Sequence, residues 1–162
     1  MKILLPVDGS PCALAAVHHA LALVKAGLVA EFVLANVQEP PSLYEVAVMH
    51  DAAEIERMRG AAGADVLAPA EALLDAAGAG WESEVAGGVP ATMLVELLEN
   101  YGCEAVVMGA RGVGDPEAGG LGSVAESLLD HSPVPVTVVR LSAASAAEDA
   151  GGESEAAAPE AG

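Results

Sequence analysis

Short apolar runs recur along the chain, and each is followed by a stretch with helical spacing. The first run, KILLPV (2–7), stops at DGS and predicts a buried strand followed by a turn. Ser10-Pro11 then opens a helix, with Ser10 as N-cap and Pro11 in the first turn. That helix, PCALAAVHHALALVKAG, places Leu14, Val17, Leu21 and Val24 on one face, and Gly27 ends it. EFVLANV (31–37) predicts a second strand. QEPPSLYEVAVMH (38–50) is expected to be an irregular connection, broken by Pro40-Pro41. Residues 51–78 predict a long helical region that Gly60, Gly63 and Pro69 should bend or divide.

WESEVA (81–86) is the third expected strand, and GGVP leads into the helix ATMLVELLENYG. The strand EAVVMG (104–109), a glycine-rich loop, the helix SVAESLLDH and a last strand PVTVVR (135–140) complete the pattern. Alternation of strands and helices predicts an α/β domain with a parallel sheet and helices on both faces. In such sheets ligands sit off the carboxyl ends of the strands, where the strand order reverses. Two loops carry suitable chemistry: VDGSP after the first strand and GARGVGDPEAGGLGS after the fourth. Residues 141–162 are Ala, Gly, Glu and Ser with little to bury, and are expected to form an acidic disordered tail after a domain of 1–140.

Composition narrows the picture. Apolar residues make up 53% of the chain but aromatics only 2%, so Ala, Val and Leu must fill the core. The net charge is −18, from 24 acids and 6 bases. Such a body repels nucleic-acid phosphates and anionic membrane, so neither is an expected partner. No apolar stretch approaches the length of a membrane span, and the start lacks the pattern of a secretory signal. A soluble cytoplasmic protein is the expectation. The two cysteines, Cys12 and Cys103, form neither a disulfide framework nor a zinc motif.

The stretch MGARGVGDPEAGGLGSV (108–124) holds six glycines between a strand and a helix. Glycine lets a ligand approach the backbone closely, and a run of open N–H groups makes an anion-binding concavity. The next helix adds its own free N–H groups and the positive end of its dipole. Ser123 either donates its hydroxyl to the same anion or caps the helix. The physical reading is a phosphate site, and the competing one is a glycine-rich surface turn.

Gly109, Gly112 and Gly122-Ser123 fit the spacing G-x2-G-x9-G-[ST]. With MKILLPVDGS at the front, EAVVMGARG in the fourth strand and GSVAESLLDHSPVPVTVV at the end, the chain resembles the ATP-binding members of the universal stress protein family over residues 1 to about 140. The resemblance implies a Rossmann-like five-stranded sheet in the order 3-2-1-4-5. It implies a module of stress response or signalling that binds ATP with Mg²⁺ and regulates through nucleotide-linked conformation or assembly. It also implies a homodimer joined through strand 135–140. The client protein is unknown. The alternative is a dimeric interaction protein of the same type that does not bind ATP.

Site residues carry over position by position. Asp8 matches the acid near the ribose and the phosphate-bound metal, and Pro6 and Val7 match the backbone beside the nucleoside. Val37 matches the position whose main chain reads the adenine edge. Met108, Gly109, Arg111 and Gly112 match the start of the ribose-phosphate loop, and Gly122, Ser123 and Val124 its end. Each has a plainer reading. Asp8 initiates an Asp-Gly turn, Val37 is core, and Arg111 pairs with Asp115 or Glu117. Those two acids in the loop interior depart from the family pattern and oppose a triphosphate unless a cation intervenes or they face solvent.

Other chemistry is missing. There is no G-x4-G-K-[ST] and no G-x-S-x-G. His18, His19, His50 and His131 lack metal-ligand spacing with the cysteines. Cys12, in the first turn of a helix beside the expected pocket, is either a thiolate candidate or a small core residue. Asp8 and Ser123 are the only candidates for a catalytic group. The family implies at most weak ATP hydrolysis or self-phosphorylation, and no catalytic residue is assigned.

Overall fold

A computed structural model describes residues 1–48, 51–114 and 119–141. Five strands run parallel: β1 (Lys2–Pro6), β2 (Glu31–Gln38), β3 (Trp81–Gly87), β4 (Ala105–Gly109) and β5 (Val136–Val139). Their order is β3-β2-β1-β4-β5, as the family resemblance implied. The helices are α1 (Pro11–Lys25), α2 (Leu43–Val48), α3 (Ala52–Ala76), α4 (Pro90–Tyr101) and α5 (Ser123–His131).

Burial follows that order. The inner strands β1, β2 and β4 are nearly continuous apolar runs because both faces are covered. Ile3, Leu5, Phe32 and Leu34 pack under α1 and α3 on one face, while Leu4, Val33, Val106 and Met108 pack under α4 and α5 on the other. The edge strand β3 carries Glu82 and Glu84, which Lys2 and Tyr101 respectively engage at 2.8 and 2.7 Å. Charge on an edge discourages further pairing there.

Ser10 caps α1 as expected, its Oγ accepting the N–H of Ala13 at 3.1 Å. The buried face of α1 differs from the expected one. It centres on Ala13, Ala16, Val17 and Ala20, with Leu14, Leu21 and Val24 along its margin. Small residues take the centre because the sheet comes very close. A Cβ on Gly109 would stand 2.8 Å from the Cys12 carbonyl carbon and 2.9 Å from the Ala13 nitrogen, so helix and strand meet backbone to backbone there.

Two expectations for the middle of the chain are corrected. The connection 38–50 is not wholly irregular, since α2 lies within it. Its start is a reciprocal cap in the sequence SLYE: the Glu45 carboxylate accepts the Ser42 N–H at 2.7 Å, and Ser42 Oγ accepts the Glu45 N–H at 3.2 Å. The region 51–78 is one continuous helix, α3, undivided by its glycines or proline. Pro69 and Asp65, whose carbonyl loses its helical partner, both lie exposed, where water can replace the bond. Gly63 is buried against the sheet, where a Cβ would run into the Val85 side chain. It therefore sets the distance between α3 and β3 rather than breaking the helix.

The expected tail (141–162, beyond Leu141), the loop acids Asp115 and Glu117, and His50 lie outside the described residues.

Candidate nucleotide site

The chain leaves β1 toward β2 on one side, and returns from β3 to β4 on the other. The strand order therefore reverses between β1 and β4, and a crevice opens at their carboxyl ends. A cleft of about 920 Å³ occupies that place. All eleven residues expected at the site line it: Pro6, Val7 and Asp8 from β1 and its turn; Val37 from β2; Met108, Gly109, Arg111 and Gly112 from β4 and its loop; Gly122, Ser123 and Val124 from the start of α5.

Asp8 ties the two loops together. One carboxylate oxygen accepts the Ser10 N–H at 2.9 Å, closing the turn that precedes α1. The other accepts the Val113 N–H at 3.1 Å, across the crevice. Gly112 lies against that second oxygen so closely that a Cβ would collide with it. Ser10 Oγ reaches the Arg111 carbonyl at 3.4 Å, a second link between the same loops. Both plainer and ligand readings of Asp8 thus have a basis, because the turn it closes also fixes the loop that frames the cleft.

The end of the cleft beside α5 is built from main chain. Gly122 donates its N–H to the Ala110 carbonyl at 2.8 Å, pinning the loop's return beside its start. A Cβ there would stand 3.4 Å from Ala110 O and Arg111 Cα. Gly122, not Ser123, is the N-cap of α5, and no side chain caps this helix. Ser123 is instead its first helical residue, which corrects the capping alternative. The leading N–H groups of α5 therefore open toward the cleft without a capping oxygen. Arg111 donates from Nε to the Gly120 carbonyl at 3.0 Å, spanning the loop from within.

Strand parity settles the place of Val37. Residues 31, 33 and 35 of β2 turn their main chain to β1, and residues 32, 34 and 36 to β3. β1 ends at Pro6, and the last rung is the Val7 N–H to the Ala35 carbonyl at 2.8 Å. The N–H and carbonyl of Val37 then point past the end of β1, into the crevice. Asn36, absent from the sequence-based site, holds the floor: it is buried and donates from Nδ2 to the Val7 carbonyl at 2.8 Å, while Gln38 Nε2 donates to its Oδ1 at 2.6 Å.

Sequence reasoning also missed the wall formed by α3, where Ile55, Met58 and Arg59 line the cleft. Arg59 carried a signal. It falls in the apolar stripe Ile55, Gly63, Leu67, Ala70 and Leu74 that faces the sheet.

The other described candidates lie as follows. Cys12 is buried and its Sγ donates to the Val139 carbonyl at 3.2 Å. Burial pushes the Cys103 thiol up from its ordinary value. His18 and His19 are exposed, and His131 bonds the Ser127 carbonyl through Nδ1 at 2.9 Å. No group of three His, Cys, Asp or Glu side chains able to hold a metal occurs among the described residues.

An open, doubly wound sheet with a cleft at its switch point defines the class: an α/β protein with a crevice at the carboxyl ends of its central strands. Within that class the chain belongs to the universal stress protein family, whose sequence model matches residues 1–140. It is 30% identical over 139 residues to universal stress protein MJ0531 of Methanocaldococcus jannaschii, covering 86% of this chain and 81% of that one. Among solved structures it is similar to hypothetical protein MJ0577, with a TM-score of 0.74 and 26% identity over 87% of this chain and 96% of that one. Two more share the fold. One is a universal stress protein in complex with cAMP (TM-score 0.62, 24% identity, 88% and 98% covered). The other is an Arabidopsis thaliana family protein with AMP bound (TM-score 0.63, 18% identity, 89% and 94% covered). No helix of the described residues is long and apolar enough to cross a membrane.

Proposed function

We propose that the chain binds an adenine nucleotide in this cleft, ATP with Mg²⁺ in the fullest form, and acts in stress response or signalling by changing conformation or assembly with nucleotide. The observation that carries the reading is the alignment of two unlike features across one crevice. At one end, the open N–H groups of α5 and the Gly122 turn suit phosphate oxygens. At the other, the main-chain donor and acceptor of Val37 suit the N1 and N6 edge of adenine. The two relatives with bound cAMP and AMP support an adenine nucleotide as the class of ligand.

Among the described residues lining the cleft, Asp8 is the carboxylate that stands between the two loops and could meet a magnesium ion. Each of its oxygens already accepts one main-chain N–H, which leaves one lone-pair site on each for a ligand. Phosphate oxygens and water would supply the rest of an octahedral shell. No catalytic role follows for Asp8 or Ser123, and any hydrolysis or self-phosphorylation would be weak. The family reading carries a cytoplasmic location with it.

A second observation favours assembly. β5 is an edge strand whose outer side has no neighbour in the sheet. Pairing of residues 135–140 between two copies would cover it and form the homodimer.

The test is a titration of nucleotide-stripped protein with ATP, AMP and cAMP, with and without Mg²⁺. Saturable binding of at least one supports the proposal, and tighter ATP binding with Mg²⁺ supports its fullest form. Failure of all three contradicts it and leaves dimeric interaction without nucleotide as the reading.

A further inference from the structure

Arg59 stands where an apolar residue is expected. Its neighbours one turn away on the inner face of α3 are Ile55 and Gly63, both buried. Its own side chain is 17% exposed. Nη1 points toward Glu56, 3.8 Å away, and passes Gly87 at the end of β3. Nη2 is fully enclosed and has no hydrogen-bond partner among the described residues. A buried donor left unpaired on a permanent cation is costly. Of the six basic residues in the chain, only Arg59 and Arg111 line the cleft. Arg111 stands at the glycine loop, and Arg59 beside Gly87 at the end of β3, which pairs with Gln38 at the end of β2.

We infer that Arg59 is a specificity residue of the cleft, its guanidinium donating to a ring-nitrogen acceptor of the bound purine. This rests on the nucleotide reading above. If Val37 takes the N1 and N6 edge, the acceptors that adenine still offers are N3 and N7. A guanidinium donates to such a nitrogen readily, as it does to purine N7 in nucleic-acid grooves. The ligand thereby gives the guanidinium an acceptor that the described residues do not supply. Arg59 touches the base and takes no part in any reaction of the phosphates.

The experiment is a cycle of calorimetric titrations with ATP, 3-deaza-ATP and 7-deaza-ATP, each lacking one ring acceptor. Wild type, Arg59→Met and Arg59→Lys are compared, with circular dichroism to check folding. The inference expects one analogue to bind wild type about 10-fold more weakly than ATP. That analogue and ATP should bind Arg59→Met alike, because the donor is gone. Arg59→Lys, with a single-point donor on a different stem, should recover only part of the ATP affinity. Equal binding of ATP and both analogues by wild type overturns the inference, and needs no variant to fold. So does a deaza penalty that persists in Arg59→Met. Failure of wild type to bind ATP or either analogue is a different result, which removes the nucleotide reading itself and this inference with it.

Discussion

The carboxylate of Asp8 accepts the main-chain N–H of Val113 at 3.1 Å, joining the turn after β1 to the glycine loop after β4. Those two segments are walls of the crevice, so Asp8, together with the Ser10 link to the Arg111 carbonyl, sets the width of the crevice there. Asp8→Asn keeps the size but replaces one acceptor oxygen by a donor amide. One orientation then sets an NH₂ against the Val113 N–H, and the other against the Ser10 N–H. We expect nucleotide affinity to fall about 10-fold, with a loss of about 1 kcal/mol in stability. Titration beside denaturant unfolding measures both, and unchanged affinity would deny Asp8 its framing role.

Gly112→Ala attacks the same contact from the other side, since the new methyl would meet Asp8 Oδ2. The loop is exposed there and can give way, so stability should change by less than about 1 kcal/mol. The displaced N–H groups should still weaken nucleotide binding. A variant with normal affinity would show that the loop start does not contact ligand.

Two glycines of α3 should respond in opposite directions. At Gly60 a Cβ meets nothing within 4 Å, so Gly60→Ala should stabilise by about 0.5–1 kcal/mol through helix propensity. At Gly63 the Cβ overlaps Val85 and stands 3.0 Å from Asn36 Oδ1, so Gly63→Ala should destabilise by about 1–3 kcal/mol. Thermal unfolding of the pair decides whether α3 packs as closely as described. Equal shifts of one sign would contradict it.

The contrast at these positions marks what the chain reveals directly. The strand-helix alternation, the cap at Ser10 and the lengths of α4 and α5 follow from periodicity and turn residues. The eleven cleft residues follow from the spacing of Gly109, Gly112 and Gly122 and from the family pattern they complete. Gly63 and Pro69 mislead because a glycine at a helix–sheet contact and a proline on a solvent face have the same local signature as breakers. Only packing distinguishes them. α2 was legible in the Ser42 and Glu45 pair, but Pro40-Pro41 outweighed it. Asn36 stayed hidden because its role depends on β2 meeting the turn after β1, which no local window contains, whereas Arg59 shows in the sequence only as a cation within the apolar stripe of α3.

The pair of Tyr101 and Glu84 gives a pH-dependent prediction. The tyrosine hydroxyl donates to the Glu84 carboxylate at 2.7 Å. That bond, followed by burial and the charge of Glu84, pushes the Tyr101 pKa up from 10.0 to about 12. The folded value lies above the unfolded one, so the bond's contribution is complete below about pH 10 and disappears as pH rises through about 12. Tyr101→Phe should therefore be less stable than wild type at pH 8, by about 0.5 kcal/mol for this partly exposed pair. The gap should close between pH 10 and 12. A gap that is constant across that window would assign it to packing alone.

The central claim is that the open N–H groups in the first turn of α5, just after Gly122, cradle phosphate. Its most direct test is calorimetric titration of ATP with Mg²⁺ into nucleotide-free wild type and into a Gly122→Val, Ser123→Ala double variant. The variant's fold is checked by circular dichroism. The account predicts saturable binding by wild type and loss of that binding in a folded variant. Equal binding by both would contradict a phosphate site at this turn, and no binding by wild type would contradict the nucleotide function as a whole.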